Sequence, residues 1–353
     1  MLSNGEPGYW NSSLSNHGEL VPVYATNPCG EITLQQWEAC NLGHVNLDAF
    51  APKRKGYFYD VAGLARAHEL VTRFLVRATY ADINDPKSRK VQDENRRIGV
   101  GHLGVQGFIV KNGWRYSEVA SLTCDDMPVG IIPDLLDRLY DTVRKTAREY
   151  AFELRIPEPV KVTTVAPTGS VAKLPGVGEG IHPVYARYFD RRIRFSMRDA
   201  DQAQTVYDAI SEKRTVETDS YDDSGETAII VYPTKDPLVE QVEAMGYPAE
   251  LVEAASDLTV DQMLAFQAMY QEHYADNAVS YTVNIAPGME QSELASTLTK
   301  WLPKLKGTTI MVDESRPQSP YTRITQEQYE AATYQSVEDS IDLECATGAC
   351  PIR

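Results

Sequence analysis

Four side chains within residues 27–40 have the types and spacing that thiol chemistry needs. The string Asn27-Pro28-Cys29-Gly30-Glu31 sets a thiol in a turn bounded by proline and glycine. An amide lies two residues before the sulfur and a carboxylate two residues after it. Cys40 follows in Cys40-Asn41-Leu42, a segment that reads as folded. The set holds a radical or nucleophilic sulfur, a general base, a hydrogen-bonding amide and a redox partner. A thiol S–H bond is weak enough to break and re-form nearly reversibly, and a tight turn fixes the sulfur against a substrate. A carboxylate on a buried loop loses water, so its proton affinity rises toward what base catalysis needs. Taken singly, each residue has a plainer reading as a turn cysteine, a surface carboxylate or a turn-forming Asn. The combination is what calls for chemistry.

A second pair, Cys345 and Cys350, flanks Gly348 in an acidic and then small-residue tail from about residue 335. The tail has no period that could bury much, and it reads as mobile. Two thiols five apart can close a small disulfide. Cys124, in Leu122-Thr123-Cys124-Asp125-Asp126, matches no pattern and reads as structural or incidental. Ala166-Pro167-Thr168-Gly169-Ser170 follows a short apolar strand, where Gly169 permits close approach and successive N–H groups can converge on an anion. That signal is weak alone. Arg191, Arg192 and Arg194 form the densest basic cluster; a solvated face is its ordinary meaning, with help to a phosphate as the second reading. The six histidines have no metal spacing, and no CxxC or HExxH occurs, so no metal site is expected.

The elements that must position these residues follow from periodicity. Residues 60–82 and 133–153 carry apolar stripes at helical spacing, the second after Pro133-Asp134. Residues 161–165, 228–232, 279–285 and 308–312 are short, apolar and β-branched, and read as buried strands. Helical patterns at 260–274 and 292–301 lie between them. Alternation of this kind predicts an α/β fold around a largely parallel sheet.

Composition sets outer limits. The chain of 353 residues is 42% hydrophobic and 24% charged, ordinary for a globular protein. Its net charge of −16 argues against a general nucleic-acid surface. It leaves room for a nucleotide held by backbone N–H groups and a few arginines. No apolar run is long enough to span a bilayer. The first thirteen residues have neither a basic nor an apolar signal region, so a cytoplasmic location is expected. Five cysteines, sparse and odd in number, do not make a disulfide framework.

The string from Asn27 to Leu47 resembles the finger-loop region of the ribonucleotide reductases. The resemblance continues at Asn95-Arg96-Arg97-Ile98-Gly99-Val100-Gly101, at Thr164 to Ser170, at Leu305-Lys306-Gly307-Thr308-Thr309 and at Glu344 to Pro351. The order is that of the C-terminal half of the monomeric, adenosylcobalamin-dependent (class II) triphosphate reductases. The fold it implies is the second half of a ten-stranded α/β barrel, with a central cysteine finger loop at about 24–36. Residues 1–334 would form this half-barrel and 335–353 a redox-shuttle tail.

By the same resemblance, Cys29 is the transient thiyl radical that removes the ribose 3′ hydrogen. Glu31 is the base on the 3′ hydroxyl, and Asn27 bonds substrate hydroxyls. Cys40 is one of the two reducing thiols. Residues 166–170 bind substrate phosphates. Cys345 and Cys350 carry electrons from a thioredoxin-like reductant by thiol–disulfide exchange. The Asn95–Gly104 stretch is expected to serve close packing near the site. Residues 307–311 carry no tyrosine pair of the class I kind, and Gly348 sits between the tail cysteines rather than in a glycyl-radical motif, which leaves adenosylcobalamin as the radical source.

One departure stands out. The family's mate for Cys40 lies on the first half of the barrel and has no counterpart here. The chain is therefore expected to work with a polypeptide carrying that half, and to be inactive alone. Two other readings compete: a non-radical thiol–disulfide oxidoreductase, and a catalytically silent binding subunit.

Overall fold

The computed structural model describes residues 7–120, 131–313 and 318–332. Cys124, Cys345 and Cys350, with the expected shuttle tail, lie outside the described residues.

Five segments run parallel in one curved layer. Leu42–Asn46 pairs with Gly99–Leu103, in register from Leu42 opposite Gly99 to Asn46 opposite Leu103. Residues 161–165 come next. They bond to the second strand through Ile98 N–H to Lys161 O (3.1 Å), Val100 N–H to Val162 O (2.8 Å) and Thr164 N–H to Val100 O (3.0 Å). Val165 then bridges Val279 in parallel. Thr282–Ile285 pairs in parallel with Gly307–Val312, and Tyr9–Trp10 closes that edge antiparallel. Each segment is short because a parallel strand, covered on both faces, needs only enough β-branched residues to cross the core.

Helices cover the outer face. Val61–Ala78 is capped by Asp60, whose side chain accepts from Gly63 N–H, and turns Leu64, Leu75 and Val76 inward. Gly43 lets this helix approach closely: a Cβ there would lie 2.9 Å from Val71 Cγ1. Ile131–Leu154 buries Leu135, Leu136, Leu139, Val143, Ala147 and Ala151 at the expected helical spacing. Val260–His273 is capped by Thr259 and packs Met263, Leu264, Phe266 and Tyr270 into the main core. No described helix is long and apolar enough to cross a membrane.

One expectation fails. Residues 228–232 do not join the parallel layer. They lie within Thr227–Lys235, which pairs antiparallel with Tyr188–Ser196 over nine residue pairs. Val216–Thr218 and Tyr321–Arg323 flank the two, giving a separate four-stranded sheet. The apolar run 229–231 is buried as expected. Strand direction is set by how the chain returns, and side-chain alternation carries no record of that. Three of its strands, at 188–196, 216–218 and 227–235, are inserted between the 161–165 strand and the strand at 282–285, and Tyr321–Arg323 joins from beyond the last parallel strand.

Candidate active site

The finger loop is a hairpin. Ala25–Thr26 pairs antiparallel with Thr33–Leu34. Asn27 closes it three ways: its N–H donates to Ile32 O (3.0 Å), its C=O accepts from Gly30 N–H (2.9 Å), and its Oδ1 accepts from Ile32 N–H (3.0 Å). Gly30 takes φ +83°, a left-handed turn conformation that a side chain would strain. Asn27 Nδ2 lies 3.9 Å from Cys40 Sγ and donates toward it. The amide therefore shapes the turn and reaches the second thiol at once.

The hairpin tip is seated on the parallel layer. Glu31 C=O accepts from Ala278 N–H (2.9 Å) and from Thr164 Oγ1 (2.8 Å). Ile32 is fully buried against the barrel. Gly99 makes this contact possible, since a Cβ there would lie 2.7 Å from both Leu42 Cδ2 and Thr164 Cγ2 and 3.1 Å from Ile32 Cδ1. Gly101 does the same for the His44 ring, 2.7 Å from where its Cβ would stand. The 95–104 stretch thus provides close packing beside the hairpin, as its glycines imply.

This seating separates neighbouring residues sharply. Cys29 is exposed at the tip. Glu31, two residues on, is 2% exposed, and its Oε2 is buried with no hydrogen-bond partner. Burial pushes the Glu31 carboxyl above its usual value; its own backbone N–H and Asn27 offset part of that. Cys40 is half-buried, and its thiol is pushed up to about 12, by burial first and then by the charges of Glu31 and Cys29. The arrangement is an accessible thiol over a desolvated carboxylate poised to take a proton, with a second thiol held protonated nearby.

The 166–170 loop follows the 161–165 strand directly. Its left-handed residue is Thr168, at φ +59°. Thr168 Oγ1 accepts from Gly180 N–H (2.7 Å), and its C=O accepts from Ala172 N–H (2.9 Å). Gly180 is required there, because a Cβ would lie 2.7 Å from Ala166 O. A cavity of about 340 Å³ is lined among others by Lys173, Glu179, His182, Arg191 and Tyr321, and by none of residues 166–170. The arginine cluster divides. Arg192 pairs with Glu217 and Arg194 with Asp219, while Arg191 reaches the cavity. Among the described residues no group of three or more His, Cys, Asp or Glu is arranged to hold a metal ion.

A buried charge cluster behind the hairpin has no clear signal in the sequence. Arg97 bonds both Glu19 and Glu38, and Lys161 and Lys306 complete it. Arg97 and Lys306 each stood inside a resembling motif, but nothing in the spacing paired them with Glu19 or Glu38.

The chain is similar in sequence and fold to known proteins. Residues 1–132 match the family model described as the ribonucleotide reductase barrel domain. A Mycobacterium phage D29 protein, provisionally named an adenosylcobalamin-dependent ribonucleoside-triphosphate reductase, is 52% identical across 100% of this chain and 50% of its own length. The Lactobacillus acidophilus protein of that name is 31% identical across 100% of this chain and 50% of its own. A B12-dependent class II ribonucleotide reductase crystal structure superposes with a TM-score of 0.71 at 28% identity, over 93% of this chain and 46% of the other. The class Id alpha subunit from Actinobacillus ureae shares the fold at TM-score 0.59 and 15% identity, over 88% and 58% of the two chains. The chain spans about half the length of the curated relatives it matches. The curated relatives cover the whole chain, and the family model covers its first 132 residues. In motifs, fold and relatives the chain is similar to the barrel domain of the ribonucleotide reductases, and within them to adenosylcobalamin-dependent members.

Proposed function

We propose that this chain carries the thiyl-radical side of a ribonucleotide reductase that converts ribonucleoside triphosphates to 2′-deoxyribonucleotides. The observation that carries the reading is the hairpin tip: Cys29 exposed, Glu31 buried two residues on, and the Glu31 carbonyl fixed by bonds from Ala278 and Thr164. Cys29, as thiyl, takes the ribose 3′ hydrogen atom and later returns it. Glu31 takes the 3′ hydroxyl proton; its raised proton affinity suits that task. Asn27, whose Oδ1 is used within the turn, offers its Nδ2 to a substrate hydroxyl. Cys40, kept protonated, donates a proton as the 2′ hydroxyl leaves as water. It and a second thiol then supply two electrons and become a disulfide. The 166–170 loop holds the phosphates.

The second thiol comes from the remainder of the barrel, either a further part of a longer chain or a separate polypeptide. Adenosylcobalamin supplies the organic radical that oxidises Cys29. The described residues fit that source in one respect: Cys29 is reachable from outside the chain. Cys345 and Cys350 pass electrons from a thioredoxin-like protein to the oxidised pair. A reducing compartment, the cytoplasm, suits chemistry that consumes thiols.

The test uses this chain combined with the first half of the barrel. It should bind adenosylcobalamin and reduce a ribonucleoside triphosphate. Replacing Cys345 and Cys350 with serine should stop turnover driven by thioredoxin and spare turnover with a small dithiol. Equal failure with both reductants would remove the shuttle role. Cobalamin-independent disulfide reduction without nucleotide reduction would overturn the main reading.

A further inference from the structure

We infer that Arg97 is a positioning residue that clasps the two legs of the finger hairpin and so sets where Cys29 and Cys40 stand; the link to catalysis rests on the reductase reading above. Arg97 is 1% exposed. Its Nη1 and Nη2 donate to Glu19 Oε1 and Oε2 at 3.0 and 2.7 Å, a two-pronged grip. Its Nε donates to Glu38 Oε1 at 2.8 Å. Glu19 precedes the hairpin and Glu38 follows it, so one guanidinium closes the base of everything between them. Both carboxylates are as buried as the arginine.

Glu38 transmits the grip into the hairpin's second leg. Its Oε2 accepts from Gln35 N–H at 2.9 Å, one residue past the paired strand and five before Cys40. Asn95 Nδ2 donates to the same carboxylate at 2.8 Å. The clasp is anchored to the barrel on the other side. Arg97 Nη1 donates to Asn277 Oδ1 at 3.1 Å, and Asn277 is next to Ala278, whose N–H holds Glu31. Lys161 Nζ lies 3.1 Å from Glu19, at the start of the strand that carries Thr164. The residues gripping the base of the hairpin are thus neighbours of those seating its tip.

A lysine could not replace this arrangement. Only a planar fork presents three N–H edges to two carboxylates and an amide at once. Buried ion pairs are weak stabilisers compared with apolar packing of the same volume. What this cluster supplies is a single geometry, and a radical thiol needs that: a displacement of about 1 Å costs on the order of 10²-fold in rate.

The experiment compares Arg97→Gln and Glu38→Gln with the unaltered chain, each combined with the rest of the barrel. Amide hydrogen exchange is read in residues 24–36, with the antiparallel strands at 188–196 and 227–235 as internal control. Exchange in the hairpin should rise at least ~10-fold in Arg97→Gln and less in Glu38→Gln, with the control strands unchanged. Nucleotide reduction should lose roughly 10²-fold in kcat, with KM moving less than about 3-fold. Arg97→Lys should recover the exchange protection only in part. Unchanged hairpin exchange, or an equal rise in both regions, would overturn the clasp. If Arg97→Gln gives no folded protein, Glu38→Gln decides by the same criterion. Hydrogen exchange needs no catalysis, so a loosened hairpin in a system that never reduces nucleotides upholds the clasp and defeats the reductase reading instead.

Discussion

The finger hairpin with its parallel layer and the inserted antiparallel sheet differ in how many polar groups they bury without partners. In the first, Glu31 Oε2, Thr33 Oγ1, His44 Nε2 and Asn46 Oδ1 are buried without partners. In the second, the long strands 188–196 and 227–235 have no such atom among the described residues, and Arg323 Nε on the edge strand is the exception. Its charges meet in pairs: Arg192 with Glu217 at 3.0 Å, both partly exposed, and Arg194 with the buried Asp219 at 2.8 Å. A buried orphan costs free energy that a stable fold normally avoids. Such atoms occur across the parallel layer and its surroundings, and Glu31 is the one carboxylate among them that stands in the cysteine hairpin, where a raised proton affinity suits a reactive arrangement. The inserted sheet obeys the ordinary rules of a stable surface unit.

This contrast can be broken by mutation, and the largest effect should fall on the hairpin tip. Cys29→Ser should abolish cobalamin-dependent nucleotide reduction by the combined enzyme even with a small dithiol; appreciable turnover would sink its assignment. Glu31→Gln comes next, with a loss of about 10²–10³-fold in kcat if the carboxylate is the general base. The same change has a chemical readout that needs no turnover. Glu31 is one of the charges holding the Cys40 thiol up, so its neutralisation should lower that pKa and raise the thiolate fraction at pH 8–9. Cys40 should then alkylate faster, by mass spectrometry of its peptide. An unchanged or slower rate would show that Glu31 does not act on Cys40.

Lys306 sharpens the comparison at intermediate size. It is 6% exposed, and its pKa is lowered to about 7, by burial first and then by Lys161. Unfolded, a lysine keeps its proton to about pH 10.4. Between about 7 and 10 the unfolded chain therefore binds the extra proton, and this group makes stability rise with pH across that window. Stability is lost in the same window as pH falls. Lys306→Met should flatten the slope between pH 7 and 9.5 in urea titrations; equal slopes in both proteins would count against the burial effect. The smallest effect belongs to the inserted sheet. Arg192→Met should cost no more than about 1 kcal/mol, because partly exposed ion pairs contribute little, and should leave nucleotide reduction intact. A large loss of activity there would erase the distinction between the two regions.

Much of the site was legible in the residues themselves. Asn27, Cys29, Glu31 and Cys40 stand close in sequence, and a turn bounded by Pro28 and Gly30 can bring only local groups together. The helices at 61–78 and 131–154 were legible because an apolar stripe at period 3.6 is a local pattern. The strand at 188–196 was not, since its three arginines read as a solvated cluster until Glu217 and Asp219 were brought alongside.

By itself, then, the sequence determined what depends on neighbours along the chain: the hairpin turn, the amphipathic helices, the short buried strands and the family motifs. Tertiary structure alone decided which way the 227–235 strand runs, that Thr168 takes the left-handed conformation, and that Glu31 is buried while Cys29 is not. It also decided that Arg97 meets Glu19 and Glu38, across 78 and 59 residues of chain. Burial and ion pairing are set by distance through space, and a chain folded back on itself makes that distance independent of separation in sequence.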